Sequence, residues 1–144
     1  MNKKELIKSI SYDEQEIIQN ILKLHCKYPI ELDPTYSKGY FYKGNFPEPI
    51  YKYDINPQID GVERADAQNL PLKNESINTI MFDPPFLATK GKSLKENKNN
   101  NYINKRFGVY PNKKELHRFY INALKEFYRI LKKDGILIFK CQDK

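Results

Sequence analysis

The chain has 144 residues, of which 40% are hydrophobic and 13% aromatic; that is the size of one domain with enough apolar surface for a core, and it excludes a disordered chain. No segment approaches the roughly 20 apolar residues of a membrane span, and no stretch of signal-peptide length follows Met1-Asn2-Lys3-Lys4-Glu5, so a single cytoplasmic domain over residues 1–144 with no membrane partner is expected. Twenty-five Lys and Arg against eighteen Asp and Glu give a net charge of +7, the footprint of a nucleic-acid partner, although a bias toward Lys, Asn and Ile is also what AT-rich coding produces.

In chain order, Ser11-Tyr12-Asp13-Glu14 has the form of a capping box with Ser11 as N-cap, ahead of Ile17, Ile18, Ile21, Leu22 and Leu24 at helical spacing, which predicts a helix over 12–26. His25 near its end suits the negative helix terminus better than a metal. Cys26 and Cys141 are far apart without metal-like spacing and read as small core residues in a reducing compartment. Pro29 stops the helix, and Ile30-Glu31-Leu32 reads as a strand running into Asp33-Pro34-Thr35-Tyr36-Ser37-Lys38-Gly39. That form fits a cofactor-binding loop or an ordinary strand-to-helix turn. Residues 40–49 are a compact, aromatic and Pro-rich connection. Strands are predicted at 50–53, stopping at Asp54, and at 62–65, stopping at Asp66. Carboxylates at strand ends could simply cap the next turn or helix, but their repetition at Asp33, Asp54, Asp66 and Asp83 makes capping alone less attractive.

Ile77-Asn78-Thr79-Ile80-Met81-Phe82 reads as a short buried strand that two prolines end abruptly, so Asp83-Pro84-Pro85-Phe86 presents a carboxylate, a rigid turn and an aromatic ring at a strand's C-terminal end. In open α/β sheets ligands bind at that end. Residues 88–110 are polar, basic and without period, a mobile substrate-contacting loop or solvated low complexity. Asn112 then caps a helix whose apolar face holds Leu116, Phe119, Tyr120, Ala123, Leu124, Phe127, Ile130 and Leu131. The aromatics on this face are core, and His117 lies off it. Asp134-Gly135 is expected to end this helix with Gly135 in a left-handed conformation, and Ile136-Leu137-Ile138-Phe139 follows as a strand. The alternation predicts an α/β fold with a mainly parallel sheet.

Taken together, Asp33-Pro34, Asp54, Asp66-Ala67 before Leu70-Pro71, Asp83-Pro84-Pro85-Phe86, and Leu131-Lys132-Lys133-Asp134-Gly135 before a strand resemble the ordered motifs of class I S-adenosylmethionine-dependent methyltransferases. Within that class the D-P-P-F form resembles the bacterial and phage DNA methyltransferases that modify adenine N6 or cytosine N4. The resemblance spans roughly residues 29–143 and implies a Rossmann-like sheet. It also implies an S-adenosyl-L-methionine cofactor, with Asp33, Pro34, Thr35 and Gly39 at the methionine part, Asp54 at the ribose, and Asp66 and Ala67 at the adenine. The first loop departs from the family's D-P-F-x-G-S-G, because Ser37 stands where the first Gly would be.

The acceptor's chemistry gives the implied mechanism. An exocyclic base amine is a poor nucleophile, and two acceptors, the Asp83 carboxylate and the Pro84 carbonyl, would aim its lone pair at the methyl. Pro85 fixes the turn, and Phe86 would stack on a base taken out of the duplex. No metal or covalent intermediate is required. RNA bases, protein amides or a non-catalytic nucleic-acid-binding module are the alternatives. The family fold has two further strands after the one at 136–139, so the chain is expected to lack them and to self-associate through an exposed sheet edge.

Overall fold

The computed structural model describes residues 6–44, 46–84 and 112–141. Helix α1 (Glu14–His25) precedes strands β1 (Leu32–Asp33), β2 (Tyr51–Asp54), β3 (Glu63–Arg64) and β4 (Ile77–Phe82); helix α2 (Lys113–Ile130) then leads into β5 (Leu131–Phe139). The five strands form one parallel sheet in the order β3-β2-β1-β4-β5. The architecture is α/β and compatible with a Rossmann-like fold.

Strand β4 forms because its run is β-branched and apolar; it is buried at Ile77, Thr79, Ile80, Met81 and Phe82, as expected of a strand with neighbours on both sides. Its two faces feed two cores. Ile80 and Phe82 pack with Leu32 and with Phe119, Ala123, Phe127 and Ile130 of α2. The Phe82 and Phe127 rings meet edge to face at 4.8 Å. Met81 packs on the opposite side with Ile138, Ile18 of α1, Tyr36 and Tyr42. The helices thus cover opposite faces, and each apolar stripe decides which.

The polar ends of α2 follow from its sequence. Asn112 caps it, its side chain accepting from the Glu115 N–H at 2.9 Å. Near the far end, the Arg129 guanidinium pairs with Glu126 and donates to the carbonyls of Leu72 (2.8 Å) and Leu70 (3.2 Å), fastening the turn before β4 to the helix.

Several expectations are corrected. The N-cap of α1 is Asp13, which accepts from the Gln15 N–H at 2.9 Å, and Ser11 instead bonds Glu16 and the Asp13 N–H. Helix α2 ends at Ile130 with Leu131 already extended, and Gly135 has no positive φ. Gly135 is required for space: a Cβ there would lie 2.7 Å from Leu131 Cδ2 and 2.9 Å from the Lys132 carbonyl. Between its first two pairings β4 advances from 77 to 79 while β5 advances from 131 to 136, so Lys132 to Gly135 bulge from the ladder. Leu124 faces outward on α2, and Cys141 is exposed rather than core; Cys26 is half-buried against the α1-side core. His117 is exposed, as its place off the stripe implied. The expected connection at 40–49 contains a 3-10 turn (Tyr40–Tyr42) with the Phe41 and Phe46 rings stacked at 5.1 Å. The loop at 88–110, with Pro85 and Phe86, lies outside the described residues. No helix among the described residues is long and apolar enough to cross a membrane.

Candidate functional site

The strand order places a crevice between β1 and β4. The chain leaves β1 toward β2 on one side, and β4 pairs with β5 on the other, so the strand order reverses direction between β1 and β4 at their adjacent C-terminal ends. Asp33 ends β1 and Asp83 follows β4, which brings these two carboxylates to the crevice. Thr35 couples them: its hydroxyl donates to Asp33 Oδ1 (3.2 Å) and accepts from the Asp83 N–H (3.0 Å).

Asp33 is 4% exposed and accepts from the Thr35 N–H at 2.9 Å and the Tyr42 hydroxyl at 2.6 Å. Burial nevertheless dominates and pushes its carboxyl up to about 7, against the lowering effect of the Tyr42 and Thr35 bonds. Asp83 is also raised, first by burial; Lys140 at 3.5 Å opposes the shift and Glu14 adds to it. Lys140 follows β5, in the ladder through its N–H to the Phe82 carbonyl (2.9 Å), and its Nζ also meets Glu14 Oε1 at 2.9 Å.

These groups line a cleft of about 520 Å³ that includes Asp13, Glu14, Asp33, Thr35, Asp83 and Lys140. Among the described residues, four carboxyl side chains against one ammonium give it an acidic lining, in a chain whose net charge is +7.

The loop after β1 forms one wall. Gly39 is left-handed at φ 68, and a Cβ there would strike the Tyr36 ring, so both its conformation and the approach of Tyr36 need glycine. Tyr36 stacks on Tyr42 at 5.4 Å, and its hydroxyl bonds Glu48. Ser37 is left-handed at φ 54 despite its Cβ, held by its N–H donating to Asp54 Oδ2 at 2.8 Å.

Of the residues anticipated from sequence, Asp33, Thr35, Gly39 and Asp83 meet in the cleft. Pro34 and Pro84 are buried beside them. Asp54 is 4% exposed and turned inward, accepting from Ser37 and, at 2.9 Å, from the Asn56 N–H; it shapes the loop. Asp66 closes a local turn onto the Gln68 N–H at 2.9 Å, and Ala67 is buried in the α2-side core, both away from the cleft lining. Sequence reading missed Glu14, Tyr36, Tyr42 and Lys140. Lys140 had the same signal as Asp83, a polar residue just past an apolar parallel strand. Glu14 had none, since it reaches the cleft only through the docking of α1.

Comparison with protein-family models, with curated proteins and with solved structures finds no match to this chain.

Proposed function

We propose that the chain is an S-adenosylmethionine-dependent methyltransferase of the class I type, acting on an exocyclic amino group of a nucleic-acid base, adenine N6 or cytosine N4 of DNA. The observation that carries this reading is the meeting of Asp33 and Asp83, coupled through Thr35, at the switch point of a parallel sheet ordered β3-β2-β1-β4-β5. The cleft's size falls in the range of small-molecule sites, roughly 300 to 1,000 Å³. Its acidity suits this cofactor, whose sulfonium and ammonium charges outnumber its one carboxylate. Asp33, Thr35 and Gly39 would hold the amino-acid end, and Asp54 would act through the loop it shapes.

Bound there, the cofactor supplies an electrophilic methyl group on sulfur. Asp83 accepts a hydrogen bond from the base amine, keeping the nitrogen lone pair directed outward, and takes the proton that the methylated nitrogen sheds. Burial, by raising the Asp83 carboxyl, makes it a better proton acceptor, while Lys140 holds it in place. Thr35 fixes the backbone of Asp83 and one oxygen of Asp33 together, so donor and acceptor sites share one frame.

A second reading, a binding module without turnover, is favoured by two features: Asp54 is committed to Ser37 and Asn56, and Tyr36 lies against Gly39. Calorimetry with S-adenosylmethionine, together with labelled methyl transfer to duplex DNA, RNA and protein, separates the two. Binding with transfer to DNA is the expected result. Binding without transfer favours the module, transfer to RNA or protein reassigns the acceptor, and absence of binding overturns the cofactor assignment.

A further inference from the structure

The opposite end of the sheet carries a different surface. There the bulge in β5 lifts Lys132 and Lys133 out of the ladder, and Gly135 permits the tight return. The two lysines line a recess of about 460 Å³ together with His25, Lys27, Tyr28 and Asp134. They also line a neighbouring recess of about 480 Å³ with Glu75, Tyr128 and Arg129. Lys27, Arg129, Lys132 and Lys133 outnumber the carboxylates Glu75 and Asp134 across the pair. Arg129 is engaged by Glu126, whereas Lys27, Lys132 and Lys133 form no ion pair among the described residues. Each recess has an exposed aromatic ring, Tyr28 at 52% and Tyr128 at 87%.

We propose that this surface is a binding site for single-stranded nucleic acid, in which Lys27, Lys132 and Lys133 take backbone phosphates and Tyr28 and Tyr128 stack on bases. Lysines without carboxylate partners are the groups that gain most from replacing counterions at a phosphate backbone. Exposed tyrosines beside them supply stacking platforms, which unpaired bases can use and stacked duplex bases cannot. Two recesses sharing one lysine ridge fit an extended strand better than an isolated anion. The site lies at the N-terminal ends of β4 and β5, while the acidic cleft lies at their C-terminal ends, so strand binding here is independent of cofactor binding there.

The test is fluorescence anisotropy of the full chain with short labelled oligothymidine and oligouridine, a matched duplex, and heparin as a polyanion without bases. The pair Lys132→Glu with Lys133→Glu is expected to weaken single-strand binding about tenfold or more and to flatten its salt dependence by about 0.7 for each phosphate no longer neutralised. Tyr28→Ala with Tyr128→Ala is expected to weaken it about fivefold or more while leaving heparin affinity unchanged. Lys132→Arg with Lys133→Arg should keep affinity within about twofold, since the charge is retained. Thermal melting of each variant at the wild-type temperature verifies the fold. Charge reversal without effect overturns the site. Duplex binding as tight as single-strand binding, or tyrosine replacement without effect, overturns the assignment to single strands and leaves a plain polyanion patch. S-adenosylmethionine calorimetry on the charge-reversed pair, expected unchanged, keeps this result separate from the reading of the cleft.

Discussion

At the C-terminal ends of its strands the chain gathers carboxylates into a cleft, fixes them with hydroxyls and backbone N–H groups, and sets Lys140 among them; at the N-terminal ends it turns lysines outward on a bulge, without ion-pair partners among the described residues. Both ends belong to the same sheet and to a chain of net charge +7. The contrast teaches that net charge is a poor guide to any one surface. Fields between exposed charges fade over a Debye length of about 8 to 10 Å, so each end answers to its own few groups. It also shows two uses of charge. The buried Asp33 has its ionisation shifted by its surroundings, whereas Lys27, Lys132 and Lys133 present their charge at the surface.

The sharpest break of this contrast is at Asp83. Asp83→Ala should lower methyl transfer by about a thousandfold, the scale for losing a preorganised polar group at a reacting centre, with cofactor affinity within about a few-fold. Turnover assays beside calorimetry read both, and near-normal turnover would remove the acidic end's chemical role.

Next in size is the pH response of Asp33. Its carboxyl sits at about 7 in the folded chain against an ordinary 3.8, so between those values the native state holds a proton that the unfolded state has released. Stability from this group is therefore fully present at low pH and is lost progressively as pH rises above about 4 to and through about 7, by on the order of 4 kcal/mol. Asp33→Asn, which keeps an acceptor for Tyr42, should flatten the profile. Urea midpoints from about pH 4 to pH 8 in both proteins measure the difference, and matching profiles would contradict it.

The two glycines set the ends against each other. Gly39→Ala should destabilise by about 2 to 3 kcal/mol, combining a left-handed φ with a clash on Tyr36, a ring already stacked on Tyr42. Gly135→Ala should cost about 1 to 2 kcal/mol, since only the close approach to Leu131 and Lys132 is at stake. Thermal melts rank them, and the reverse order would mean that the bulge is the more tightly built. The smallest effect is at Ser37. Ser37→Gly relieves its left-handed backbone and should stabilise by no more than about 1 kcal/mol, read from denaturant midpoints. If Tyr36 and the Ser37 side chain narrow the cleft, the same change tightens S-adenosylmethionine binding in calorimetry.

Some of this was legible one residue at a time. Strand β4 has the bounds its sequence announced, because a β-branched run is extended by its own sterics and Pro84-Pro85 cannot continue it. Helix α2 begins at the cap Asn112 supplies, and its stripe predicted the face that Phe119, Ala123 and Phe127 bury. Asp33 and Asp83 were identifiable as strand-end carboxylates. Local rules failed where two local solutions competed. Asp13 took the N-cap that Ser11 also offered, and Leu131 entered the sheet where periodicity would have extended the helix.

What the sequence determined by itself is the set of elements and the polar residues at their ends, since both depend on neighbours along the chain. Tertiary structure alone decided which of those ends meet. The order β3-β2-β1-β4-β5 places Asp33 beside Asp83, carries Lys140 to them from a strand that begins almost fifty residues after Asp83, and brings Glu14 across on α1. The same packing turned Asp54 inward to Ser37 and left Asp66 in a turn of its own. Strand order is fixed by which apolar faces bury best against one another over the whole sheet, a sum over distant contacts that no local window contains.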